Sequence, residues 1–199
     1  KFADFAMYQV KNSTKGGIED FDRKSYERDA FLMQSQEELN LLIDHRMVDY
    51  AFQPVVDART GEVFCYEALM RPRTETIRTP LDVLRIARVH SKMGEIERLT
   101  WFECMKVYSQ HPEWFGNRKI FINSISNQKL SPQDLQQFQK QFSKNLSHIV
   151  IEMTEGDQMD MECLREKQKS CRETGAAIAL DDYGSGYNGD TMLLVISPN

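Results

Sequence analysis

Lys119-Ile120-Phe121-Ile122-Asn123, then Ile149-Val150-Ile151-Glu152, then Ala177-Ile178-Ala179-Leu180-Asp181 are three apolar runs of β type, each closed by an oxygen-bearing side chain. Asn123 and Glu152 lie 29 residues apart, as do Glu152 and Asp181, close to the roughly 30 residues of one βαβ step. Helical patterns near residues 133–142 and 161–174 fill the two intervals. Working outward, residues 50–56 and 63–69 read as earlier strands, and helical periodicity opens at Pro80 and again over residues 95–110. Strands alternating with helices predict an α/β fold with a mostly parallel sheet.

In a (β/α) barrel the C-terminal strand ends form the active-site face. Glu67, Asn123, Glu152 and Asp181 are therefore expected to meet at one mouth. Carboxylates and a side-chain amide are hard oxygen donors, and without histidine or cysteine among them the set favours magnesium or manganese over zinc. Asp182, directly after Asp181, could reach a second ion, as in-line hydrolysis of a phosphodiester by two metals requires. Arg71, four residues past Glu67, has the planar fork that clamps a phosphate oxygen. Each residue taken singly also admits a plainer reading. A strand-end Glu or Asn often sits in solvent or caps the next helix, Asp181 to Gly186 could be an ordinary glycine-rich turn, Glu155 could cap the segment after Glu152, and Arg71 could be a surface residue.

Composition narrows the class. Hydrophobic residues make up 41% of the 199 and the formal net charge is -5, so the chain carries no basic footprint for a DNA or RNA polymer. No apolar run approaches the roughly 18 residues of a membrane span, and the N-terminus shows no secretory signal, so a cytoplasmic location is expected. Cys65, Cys104, Cys163 and Cys171 stand at irregular spacings and are expected to be free, buried thiols. Trp101, Phe102 and Met105 are expected in the core on one helix face.

Phe52-Gln53-Pro54-Val55-Val56 followed by Tyr66-Glu67-Ala68-Leu69-Met70-Arg71 resembles the opening of an EAL domain. Phe121-Ile122-Asn123-Ser124, Ile151-Glu152-Met153-Thr154-Glu155 and Leu180-Asp181-Asp182-Tyr183-Gly184-Ser185-Gly186-Tyr187 follow in the order expected of that family. The resemblance implies a TIM-like (β/α) barrel that hydrolyses cyclic di-GMP to linear pGpG with Mg2+ or Mn2+, typically as a homodimer joined through the loop after Asp182. By position it implies Glu67, Asn123, Glu152, Asp181 and Asp182 as metal ligands, with Glu67, Asp181 and Asp182 catalytic. It implies Gln53 and Arg71 as substrate contacts, and Glu155 as the residue that holds the Asp182 loop in shape. A non-catalytic cyclic di-GMP receptor and a dimerisation domain are the rival expectations. Tyr183 and Ser185 stand where Phe and Thr are usual, and Leu130 falls one residue late, so the loop after Asn123 is expected to differ in shape.

The first 34 residues, through Ala3-Asp4-Phe5-Ala6-Met7-Tyr8-Gln9-Val10-Lys11, resemble the last helix of a GGDEF domain and a connector, leaving residues 35–199 as the N-terminal part of an EAL domain. Directly after that connector a helix leading into the main domain is expected to start at Ser35, with Ser35 as its cap. A barrel of this class takes roughly 250 residues. Length therefore predicts an incomplete barrel, and the resemblance implies that the family's strand-end lysine, later glutamate and last glutamine are the parts not included. Such a piece is expected to be inactive alone, with an exposed sheet edge.

Overall fold

The computed structural model describes residues 23–154 and 160–181. Helix α1 (Arg23–Gln34) and helix α2 (Gln36–Asp44) lead into strands β1 (Val48–Val56) and β2 (Val63–Pro72). Helices α3 (Pro80–Val89), α4 (Met93–Gln110) and the single turn α5 (Pro112–Phe115) precede β3 (Lys119–Asn123). Helix α6 (Pro132–Gln141), β4 (Ile149–Thr154), α7 (Met161–Thr174) and β5 (Ala177–Asp181) complete the described order.

The five strands form one sheet in the order β1-β2-β3-β4-β5. β1 pairs antiparallel with β2, and each later pair is parallel. Parallel neighbours need a crossover, and α4, α6 and α7 supply helices for these crossovers. The β1–β2 turn is compact. Asp57 accepts from the backbone of Arg59 and Thr60, Gly61 N–H returns to the Asp57 carbonyl, and Gly61 takes φ 73°, where a side chain would be strained.

Local chemistry starts the helices where the pattern placed them. Thr79 and Ser131 cap α3 and α6 by accepting from the N–H of Asp82 and Asp134, with proline in the first turn of each helix. Asp160 caps α7, which ends at Gly175 in the left-handed region. Ser35 departs from expectation: it does not cap α2. Its hydroxyl donates to the Phe31 carbonyl, because α1 already occupies residues that the sequence assigns to a connector and offers that acceptor one turn back. The α5 turn was not foreseen, since four residues are too few to show periodicity.

Strand alternation sorts the sheet into two faces. Ala68, Ile120, Ile122, Ile149, Ile151 and Met153 are buried against the helices, in a core shared with Trp101, Phe102, Met105 and Phe138. Phe115 of α5 joins this core, with ring centroids 4.8 Å from Phe52 and from Tyr108. A second core, around Leu39, Leu42, Ile77, Val83 and Ile86, packs α2 and α3 together, and Tyr50 touches both. Cys65, Cys104, Cys163 and Cys171 are free and buried. Among the described residues no helix is long and apolar enough to cross a membrane.

Candidate metal centre on the barrel face

Register decides which side chains share the face turned away from the helices. Glu67 pairs with Phe121, two residues before Asn123 on the same strand, so the two side chains share a face. Asn123 pairs directly with Glu152, and Glu152 pairs with Ala179, two residues before Asp181. Glu67, Asn123, Glu152 and Asp181 therefore project from one side of four adjacent parallel strands, stepped toward the C-terminal end. The antiparallel hairpin adds to the same face: Gln53 lies opposite Glu67, and Arg71 opposite Asp49.

Contacts draw part of this set together. Asn123 Nδ2 donates to Glu67 Oε1 at 3.0 Å. Glu152 Oε2 is shielded from solvent. Cys65 lies on the same face two residues before Glu67, and its thiol pKa is raised, first by burial and then by the Glu152 carboxylate. That electrostatic link runs from β4 across β3 to β2. Arg71 and Gln53 are exposed, and Arg71 Nη1 donates to the Met70 carbonyl at 2.9 Å. A cavity of about 340 Å3 opens beside the rim, lined by Glu67, Asn123, Ser124, Met70, Ile96 and Arg88 among others.

The strand that carries Glu67 is longer than the 63–69 expected, because β2 runs on to Pro72, which is held by Val48 of β1. Its parallel pairing with β3 does stop at Ala68, so against its parallel neighbour Glu67 still stands near an end. Asp182 and Glu155 lie outside the described residues, as does the loop after Asp182.

The donor set suits a hard divalent cation, since Glu67, Asn123, Glu152 and Asp181 offer carboxylate and amide oxygens. Among the described residues, no three His, Cys, Asp or Glu side chains gather closely enough to hold an ion by themselves.

Sequence reading missed three residues that lie under this rim. Glu97 and Lys167 are buried and joined to each other, and both bond to Ser124, the neighbour of Asn123. A signal was present. Glu97 interrupts the apolar stripe of α4 one turn before Trp101, and Lys167 sits between Cys163 and Cys171 on the stripe of α7. Opposite charges on two apolar stripes point to a buried pair.

The family model described as the EAL domain matches residues 36–198, and the chain belongs to this family. It is 29% identical over 157 residues to the probable cyclic di-GMP phosphodiesterase PdeG of Escherichia coli, an alignment covering 71% of this chain and 29% of PdeG. Its structure is similar to the Xanthomonas citri FimX EAL domain in complex with c-diGMP, with TM-score 0.69, 17% identity, and coverage of 89% of this chain and 70% of that one. It is also similar to Klebsiella pneumoniae BlrP1 in a manganese and cyclic di-GMP complex, with TM-score 0.60, 19% identity, and coverage of 89% and 50%. The fold is thus the TIM-like (β/α) barrel of EAL type, not closed by the described strands. The chain spans 20% to 30% of the length of the curated relatives that it matches.

Proposed function

We propose that this chain is the ligand-bearing part of a metal-dependent phosphodiesterase that hydrolyses cyclic di-GMP to pGpG. The observation that carries the reading is the shared face of Glu67, Asn123, Glu152 and Asp181 on four neighbouring parallel strands. The names of the relatives support it, since PdeG is a probable cyclic di-GMP phosphodiesterase and BlrP1 was crystallised with manganese and cyclic di-GMP.

In this reading Glu67, Asn123, Glu152 and Asp181 hold Mg2+ or Mn2+, and Asp182 serves a second ion. The ions, when bound, supply positive charge against the scissile phosphate and make water acidic enough to act as nucleophile. Arg71 offers its guanidinium to a non-bridging phosphate oxygen, and Gln53, across the hairpin from Glu67, hydrogen-bonds the nucleotide. The apolar cavity beside Glu67 and Asn123 excludes water from one flank of the substrate and gives a base a surface to lie on. Glu155 holds the loop that follows Asp182, a homodimer forms across that loop, and the protein works in the cytoplasm.

The test is incubation of the full-length protein with cyclic di-GMP and Mn2+, with the products separated by chromatography. Appearance of pGpG is expected. Absence of product, under conditions where a known phosphodiesterase turns over, would remove the enzymatic reading, and tight binding of intact nucleotide would put a receptor in its place.

A further inference from the structure

The pair formed by Glu97 and Lys167 takes no part in the rim chemistry, yet both charges are withdrawn from water, with side-chain exposures of 0% and 3%. Burial of this kind is tolerated only when hydrogen bonds satisfy both groups. Lys167 Nζ donates to Glu97 Oε1 at 3.2 Å, to Ser124 Oγ at 2.7 Å and to the Ile125 carbonyl at 2.7 Å. Glu97 in turn accepts from Ser124 Oγ at 2.5 Å, from Trp101 Nε1 at 3.0 Å and from Ile125 N–H at 2.8 Å. Four of these six bonds end on Ser124 and Ile125, the two residues directly after Asn123. Ser124 N–H also donates to the Glu152 carbonyl at 2.8 Å. The network therefore grips the chain between two of the candidate ligands, and it does so from α4, which precedes β3, and from α7, which precedes β5.

A buried ion pair is a poor way to gain stability, because apolar residues of similar volume do as well or better. Its advantage is a fixed geometry. Here what it fixes is the exit of β3. We propose that Glu97, Lys167 and Ser124 are positioning residues that hold Asn123 and Glu152 at the spacing a divalent cation needs, acting from the helix side of the sheet. The inference rests on the metal-dependent function proposed above. Partners of ligands commonly influence metal affinity by about 10- to 100-fold.

Mn2+ binding to the full-length protein, followed by electron paramagnetic resonance, tests this without reference to turnover. The double variant Glu97→Gln/Lys167→Met removes both charges while keeping the volumes, and is expected to fold, as judged by near-ultraviolet circular dichroism. It should bind Mn2+ about 10-fold or more weakly. Ser124→Ala deletes one hydroxyl and should shift affinity in the same direction by a smaller factor; it carries the test if the double variant does not fold. A folded variant of either kind with unaltered Mn2+ affinity overturns the inference and leaves the proposed function standing. If the unaltered protein binds no Mn2+, the metal-dependent function falls and this inference falls with it.

Discussion

At the scale of single residues, charge and burial set distinct expectations for Glu67 and the cysteines. Glu67→Gln keeps the size and the capacity to bond Asn123 but deletes a negative charge from the rim. Turnover with Mn2+ is expected to fall by about 100-fold or more, the scale of losing one electrostatic group from a transition state, while the melting temperature stays near that of the unaltered protein. Release of pGpG at an unchanged rate would count against the assigned role. The thiols give a second prediction. Burial pushes Cys171 up to about 11, and Cys104 is driven higher still by complete enclosure. A raised thiol value means less thiolate at pH 8, and thiolate is the reactive form. These two cysteines are expected to react slowly with a disulfide reagent at pH 8 in the folded protein and rapidly after denaturation. Rapid labelling of either one in the native state, located by mass spectrometry, would contradict the packing.

At the scale of elements, the start of α6 can be dissected. Ser131 Oγ accepts from Asp134 N–H at 3.1 Å and donates to its carboxylate at 2.7 Å, while Arg98 of α4 donates to the other carboxylate oxygen at 2.6 Å. Ser131→Ala should cost about 1 kcal/mol in denaturant unfolding, as loss of such a cap usually does. The hydrogen bond from Arg98, followed by that from Ser131, holds the Asp134 carboxyl below its usual 3.8. A depressed carboxylate contributes stability that is present above its unfolded value and lost as the pH falls through its folded one. Asp134→Asn should therefore melt below the unaltered protein at neutral pH, and the gap should close as the pH drops below about 4. A gap that is constant from pH 7 to pH 3 would show that the charge has no part in docking α6 onto α4.

At the scale of the whole molecule, the sheet stands on aromatic packing that joins its antiparallel and parallel parts. Phe115 is 1% exposed and its ring meets Phe52 of β1, Tyr66 of β2 and Tyr108 of α4. Phe115→Ala should lower unfolding free energy by about 3–5 kcal/mol, measurable by denaturant titration. The parallel strands and their helices were legible in the sequence, because the apolar runs closed by Asn123, Glu152 and Asp181 recur at 29-residue spacing and helical periodicity fills the intervals between them. The candidate ligands were legible for the same reason, each following an apolar run. Less could be read where the signal was tertiary: the continuation of β2 past Leu69 depends on Val48 reaching Pro72, α5 is too short for a period, and the Glu97–Lys167 pair joins residues 70 positions apart. The hairpin has a practical consequence. Since β1 runs against β2, residues 57–62 turn back at the end of the sheet opposite Asn123, Glu152 and Asp181. A reporter peptide or a fluorophore spliced in after Thr60 would sit at the far end of the sheet from the proposed metal site, giving an observer a handle on the protein that leaves that rim alone.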